Sequence, residues 1–393
     1  MNNIWSNNKC VNMAVNILLL LLSVNFLHYA QIIIPIICLI LFIDNKCKFI
    51  VNNKITFIIL CLFGVSFFAF TISFFGAFAF IGLFLPMAYY IGSNIKEPNE
   101  EKVKTIIYII TLGMTLHILL NFACDFIVRG TECFFRNSHL DFWTWDEYPT
   151  TQTSALYIFI IGVIYYAFVY EKNKTVKILS IVLFVLSFIY SIALGRRTPI
   201  FLLGIVVLFS FAIDFIKLKN RNTMSKAILG VLLLFCIVGV VIYLLYSLNI
   251  FNLKEQLSHL GIVRKFVSLG LYSNRHNLTK HTLELMPKCL FGGMEITELT
   301  VWGPHDLWLN VFDAGGIVPF VFIVTYTIMC LIPIIKILFS NKYSKEFRLL
   351  IFGLLLSIAI QFCLEPVMTG NSLIVICAVL LVSVAEKLYI NTK

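Results

Sequence analysis

Apolar residues run through this chain in long stretches broken by short polar ones. Each stretch holds for about 17–25 residues, the length of a helix that crosses a bilayer. None alternates polar with apolar at every second position, as a membrane barrel strand would. Helices follow, because a helix satisfies its own backbone hydrogen bonds in lipid. The stretches fall at roughly 11–27, 29–43, 55–72, 74–92, 104–127, 153–170, 178–194, 198–216, 227–247, 306–335, 349–364 and 370–389. The pattern predicts an all-α polytopic membrane protein of about twelve transmembrane helices. It forms one integral membrane domain over residues 1–393, with a large outer loop before the tenth helix. The first stretch leads into the second across His28 and Tyr29 without a small-residue cleavage pattern, so the first helix is expected to be retained.

The polar interruptions assign the two sides. With the amino terminus inside, the groups Lys46, Lys48 and Lys54, then Lys96, Lys102 and Lys104, then Lys172, Lys174 and Lys177 all fall inside. Lys217, Lys219, Arg221 and Lys226, then Lys336, Lys342, Lys345 and Arg348, and finally Lys387 and Lys393 join them. Positive residues gather on the cytoplasmic side of membrane proteins, so both termini are predicted to be cytoplasmic. Composition agrees with membrane embedding: 60% of the 393 residues are hydrophobic and 13% are charged, with a mean hydropathy of +0.93. The net charge of +10 therefore reflects topology, and no nucleic-acid partner is expected. Of the eleven cysteines, Cys38, Cys61, Cys236, Cys330, Cys363 and Cys377 lie in apolar stretches, where cysteine acts as a small hydrophobe. Cys133 and Cys289 fall outside, where they could meet.

The inner segments are short, and none carries a glycine-rich phosphate loop. Chemistry is therefore expected in the outer loops 128–152 and 248–305 and at the junction near residue 196. Within the longer loop, Leu278, Thr282, Leu285 and Met286 recur at helical spacing with Lys280 and Glu284 on the other side. A short amphipathic helix is predicted there, with Arg275 just ahead of it, ended by Pro287 and followed by a flexible Gly292-Gly293 return. No strong internal repeat appears, which disfavours a transporter of inverted halves.

Cations left outside are the anomaly: Arg129, Arg136, Arg196, Arg197, Lys254, Arg264, Lys265, Arg275, Lys280 and Lys288. Arg196 and Arg197 stand directly before Thr198 and Pro199, a preferred N-cap and a preferred first helical residue. A guanidinium fork beside a positive helix end suits a phosphate or diphosphate, although snorkelling to lipid head groups is the plain alternative. Pro304 is expected to start a helix with His305 in its first turn, where the dipole favours neutral imidazole able to accept a proton. In loop 128–152 the aromatic residues Phe134, Phe135, Phe142, Trp143, Trp145 and Tyr148 are interleaved with Asp141, Asp146 and Glu147. Aromatic faces with carboxylates suit a carbohydrate acceptor, while an interfacial belt explains the rings more simply. His259, His276 and His281 with Glu284 match no standard zinc spacing, so no metal is predicted. Asp125 and Asp214 read as interfacial residues at span ends.

Three of these blocks resemble the bacterial O-antigen ligase and Wzy-type polysaccharide polymerase superfamily. Gly195-Arg196-Arg197-Thr198-Pro199 is similar to its Ser/Gly-Arg-x-x-Pro junction. Ser273-Asn274-Arg275-His276, running to Pro287 and Gly292-Gly293, is similar to its outer-loop arginine segment. Pro304-His305-Asp306-Leu307-Trp308-Leu309 with Gly315-Gly316 resembles its His-Asn-x-x-Leu block, except that Asp306 replaces the asparagine. The resemblance implies a bacterial cytoplasmic-membrane enzyme with its site on the outer face, in which a sugar hydroxyl attacks, with inversion, a glycan held on undecaprenyl diphosphate. It implies His305 and Arg275 as catalytic residues and Arg196 and Arg197 as holders of the diphosphate; Arg264 is expected to join the diphosphate holders, and Asp306, Asp141, Trp143 and Trp145 are the expected acceptor contacts. No cofactor or metal is required. The implied partners are the lipid-linked oligosaccharide, membrane lipid, and flippase and chain-length regulator proteins. The modest outer loop favours a polymerase over a ligase that glycosylates lipid A core or protein; a lipid-linked oligosaccharide flippase is the reading from another class.

Overall fold

The computed structural model describes residues 3–134, 138–149, 155–194, 196, 198–217, 275–291 and 304–392. Its helices are α1 (Lys9–Ser23), α2 (Ala30–Asp44), α3 (Lys54–Phe75), α4 (Ile81–Ser93) and α5 (Glu100–Arg129). A hairpin of β1 (Ser138–Leu140) and β2 (Glu147–Pro149) follows, then α6 (Tyr157–Val169), α7 (Lys174–Ala193), α8 (Thr198–Lys217) and α9 (Arg275–Leu285). The chain ends with α10 (Leu307–Gly315), α11 (Ile317–Phe339), α12 (Lys345–Leu364) and α13 (Ser372–Asn391). Six helices among the described residues are long and apolar enough to cross a membrane, and shorter apolar helices cover Lys9–Ser23, Ala30–Asp44, Ile81–Ser93, Tyr157–Val169 and Thr198–Asp214. This is an all-α membrane protein. The ninth expected span, 227–247, lies outside the described residues.

Local chemistry sets many helix starts. Asn8, Asn53, Asn99 and Ser344 each accept a backbone N–H of the first turn with their side chains, which satisfies donors that have no partner within the helix. The expected amphipathic helix forms as α9, with Thr282 buried and Lys280 facing Glu284 at 4.0 Å on the exposed side. Arg275 is its first residue rather than a preceding one.

The expected single span 306–335 is instead two helices, α10 and α11, broken at Gly316. That glycine has φ 81°, and a Cβ there would lie 2.3 Å from the carbonyl carbon of Phe291. Ile317 donates its N–H to the Leu290 carbonyl at 2.8 Å. The segment returning from α9 thus passes against the break itself, which only a residue without a side chain permits.

Helix α13 packs on α4 and α11, and α6 packs on α12, α7 and α8. Both α6 and α13 are apolar and buried on almost every face, as expected of helices enclosed by others. At the α6–α12 crossing, a Cβ on Gly353 would sit 2.5 Å from the Gly162 carbonyl oxygen, so the two backbones touch through small residues. Outward faces are apolar, as at Met13, Leu39, Ile58, Ile178, Ile189 and Ile328. Polar contacts collect at the two ends. At one end Asp44 accepts from Ser6 at 2.7 Å and Lys96 at 2.8 Å, and Ser344 donates its N–H to Glu100 at 2.6 Å. The opposite end carries the hairpin and the candidate site.

Candidate functional site

The site is built on the carboxyl-terminal end of α5. Arg129, in its last turn, donates to Asp125 at 3.1 Å, pairs with Glu147 and reaches the Ser138 carbonyl at 3.3 Å. Asp125 also accepts the Leu140 N–H at 2.8 Å and the Tyr190 hydroxyl at 2.9 Å. Asn121, one turn earlier, accepts the Phe142 N–H at 2.9 Å. One polar helix face thereby holds a hairpin too small to be stable alone.

The hairpin delivers Asp141, which is 2% exposed. Its Oδ1 accepts the N–H groups of Trp143 and Thr144 at 2.8 and 3.2 Å and Nε2–H of His28 at 3.0 Å. Its Oδ2 accepts Nε2–H of His117 at 3.3 Å. Burial alone would raise the pKa of Asp141, but the hydrogen bonds from His117 and His28 outweigh it and hold the carboxyl well below the usual carboxylate range. Asn25 donates to Nδ1 of His28 at 2.9 Å, so the proton of His28 sits on Nε2. The bend that aims His28 is unusual: Asn25, Leu27 and His28 have φ of 55°, 50° and 58°. Non-glycine residues in this region carry strain that tends to gather at functional sites. His139 is buried beside the cluster, and its pKa is pushed down to about 3, first by burial, then by repulsion from His117, Arg196 and Arg129 against the attraction of Asp141.

A cavity of about 330 Å³ opens beside this cluster. Its walls include His28, His117, Tyr148 and Gln31, together with Thr369 and Ser372 from the connection between α12 and α13. That connection is the hub of the site. Glu365, buried where α12 ends, accepts the Thr198 hydroxyl at 3.2 Å, which ties in the Arg196 junction. Four residues on, Thr369 accepts from the Asn310 amide at 2.9 Å and donates its N–H back to Asn310 at 3.0 Å, which ties in the His305 block.

The expected site residues are distributed as follows. Asp141 lies at the centre. Arg196 is half-buried and close enough to act on His139 electrostatically. His305 is half-buried and precedes α10 rather than lying in its first turn, because Asp306 is the N-cap and accepts the Leu309 N–H at 2.8 Å. The Thr198 hydroxyl goes to Glu365, and α8 begins at Thr198 itself. Trp143 packs edge-on against Phe26 with ring centroids 5.0 Å apart, and its indole N–H meets the Val24 carbonyl at 3.3 Å. Trp145 is 61% exposed at the hairpin tip. Arg197, Arg264 and His259 lie outside the described residues, as do the side chains of Arg275 and His276.

One reading is corrected. Asp125 and Asp214 are buried network residues, not interfacial ones, and Asp214 accepts from Tyr165 at 2.8 Å and Tyr170 at 2.6 Å. Arg129, one of the cations expected in the outer loops, is paired with Asp125 and Glu147. Cys133 and Cys289 are both free thiols. No cluster of three or more metal-binding side chains occurs among the described residues. Sequence reasoning missed His28, His117, His139, Glu365 and Thr369. Two of them carried a signal: His117 is an ionisable residue within an apolar span, which marks a functional candidate by default, and Glu365 directly follows another span.

Comparison with known proteins finds no family model that matches the chain and no curated protein that matches it.

Proposed function

We propose that this protein is a membrane glycosyltransferase of the polysaccharide polymerase type. It transfers a glycan from undecaprenyl diphosphate onto a sugar hydroxyl of another lipid-linked repeat unit. In this reading about twelve helices cross the bacterial cytoplasmic membrane, both termini are cytoplasmic and the site opens on the outer face. The observation that carries it is the hub between α12 and α13. Two sequence blocks that resemble the same enzyme superfamily, around Arg196 and around His305, are bonded to residues four apart in one connection, through Thr198 to Glu365 and Asn310 to Thr369.

The proposed reaction balances without further reagents. The acceptor oxygen forms a bond to the anomeric carbon as the bond from that carbon to the diphosphate oxygen breaks. The hydroxyl proton passes to His305, and undecaprenyl diphosphate leaves. Arg196, Arg197, Arg264 and Arg275 neutralise charge that grows on the leaving group, so their stabilisation is larger in the transition state than in the bound substrate. An apolar cavity of about 230 Å³, walled by Trp308, Tyr326, Phe362 and Cys363, adjoins the His305 block and suits contact with lipid chains.

The test is a deletion strain complemented with wild type, Arg196→Ala or His305→Ala, followed by gel analysis of surface glycan and of the lipid-linked pool. A polymerase requires single repeat units at the surface and loss of long chains in both variants. Long chains stranded on undecaprenyl diphosphate would make the protein a ligase, and repeat units held on the cytoplasmic leaflet would make it a flippase. Unchanged polymer length and amount in both variants would end the enzyme reading.

A further inference from the structure

The end of the bundle opposite the candidate site holds a polar cavity of about 620 Å³. Lys96, Lys102 and Lys387 line it, with Glu97 as the one carboxylate of the lining among the described residues. Asp44 pairs with Lys96 at 2.8 Å, and the Lys102 ammonium donates to the Lys96 carbonyl at 2.7 Å. Lys387, half-buried near the end of α13, makes no hydrogen bond or ion pair among the described residues, and its ammonium is not sealed from solvent. Setting Asp44 and Glu97 against the three lysines leaves one positive charge over. Exposed Lys46, Lys48 and Lys54, in the stretch that joins α2 to α3, add further cations with no partner among the described residues. The amides of Asn7 and Asn391, also in the lining, are exposed and bonded to no described residue. A half-buried cation beside amide donors suits an anion such as a phosphate.

An apolar groove begins where this cavity ends. Asn94 lines the cavity, and its amide donates to the Tyr90 carbonyl at 2.6 Å and the Ile50 carbonyl at 3.2 Å. Tyr90 lines the groove and stacks on Phe49 with ring centroids 4.8 Å apart. The groove, about 540 Å³, is walled by Pro35, Cys38, Leu39 and Phe42 on α2, by α3 from Phe57 to Val65 and by α4 from Leu83 to Tyr90. Phe42, Phe57 and Tyr90 are the wall residues nearest the polar end of each helix, and Pro35, Val65 and Leu83 the farthest. At ~1.5 Å per residue the groove therefore runs roughly 10 Å from the cavity along the helices. Leu39 and Val65 are more than half exposed, so it opens outward on an apolar face of the bundle.

Charge and layout select the occupant. A soluble anion would meet the lysines and leave the groove empty, whereas an apolar helix would fill the groove and leave Lys387 without a counter-charge. A molecule with a phosphate at one end and a hydrocarbon chain running inward matches both. A zwitterionic head group brings its own ammonium, so the surplus lysine favours a lipid of net negative charge. We propose that the cavity and the groove together bind one anionic phospholipid of the surrounding leaflet, with its phosphate on Lys387 and one acyl chain between α2, α3 and α4. This lipid is a component of the membrane and not a reactant, so the proposal is independent of the glycan-transfer reading.

The experiment is native mass spectrometry of the full chain, stripped of lipid in detergent and then given equimolar dioleoyl phosphatidylglycerol and dioleoyl phosphatidylcholine. The two probes differ in net charge and share the same chains. Wild type takes up one phosphatidylglycerol with about tenfold preference, the scale of one charge-assisted contact. Lys387→Gln brings the two lipids to within about twofold of each other, and Lys387→Arg keeps the preference, which separates loss of charge from loss of folding. Val65→Trp, on the exposed wall of the groove, lowers the binding of both lipids severalfold. Equal binding of the two lipids by wild type, or a preference that survives in Lys387→Gln, overturns the proposal. Displacement of bound phosphatidylglycerol by glycerol phosphate overturns it in favour of a soluble anion, and a lipid-free dimer overturns it in favour of a second copy of the chain on the groove.

Discussion

Replacing His139 with glutamine should make the protein less sensitive to acid. His139 is 2% exposed, so protonating it requires a cation in the packed hairpin. Its pKa in the folded protein is about 3, whereas a free histidine titrates near ~6.5. A depressed folded value gives stability that is fully present above the unfolded pKa and is lost as pH falls toward the folded one. The window therefore runs from about 6.5 down to about 3. Between pH ~7 and ~5 the unfolded imidazole takes up most of a proton while the folded one takes up almost none, a loss on the order of 2 kcal/mol. Asp141 adds little in this interval, because its carboxyl stays ionised when folded and titrates near ~3.9 when free. The assay is thermal unfolding in detergent, followed by tryptophan fluorescence, at a series of pH values for wild type and His139→Gln. Other histidines contribute to both curves, so the difference between the slopes reports His139 together with its coupling to His117. Wild type should lose about 2 kcal/mol more than the variant from pH ~7 to ~5. Parallel pH profiles would refute the reasoning.

Arg129→Ala should cost about 3–5 kcal/mol, because it leaves the buried Asp125 carboxylate without its cation; accelerated proteolysis within residues 130–150 of the purified protein checks it. Gly316→Ala should destabilise the α10–α11 break by about 2–4 kcal/mol, since φ of 81° is strained for alanine and the added Cβ meets the Phe291 backbone. Thermal unfolding reads that loss, and a change within experimental error would mean that the 290–291 segment does not press on the break. Asn310→Ala should separate the His305 block from Thr369 and lower polymer yield while leaving the amount of folded protein near wild type, a split read by surface-glycan gels beside immunoblots of the membrane fraction.

The sequence determined what local energetics can determine. The length and continuity of the apolar runs gave helices of membrane-crossing size, because backbone satisfaction in lipid is a requirement each segment meets alone. The polar face of α9 with Lys280 and Glu284 was legible for the same reason: the partners lie within a few residues of each other. Arg196, Asp141 and His305 also stood out, since charged or ionisable groups beside apolar runs are costly enough to be conspicuous.

Tertiary structure alone decided which of these groups meet. His28 and Asp141 lie 113 residues apart in sequence, Thr198 and Glu365 167 apart, and no periodicity relates them. Helices such as α6 and α13 are apolar all round, so hydrophobic pattern does not say which face turns to which neighbour; close backbone approach, as at Gly162 and Gly353, settles it. The break at Gly316 is a further case. Residues 306–335 read as one continuous span, and the two helices separate where a segment distant in sequence, Leu290 and Phe291, occupies the space a side chain would need. An apolar run records the preference of a residue for lipid or protein over water, and that preference is the same for every apolar neighbour it could pack against.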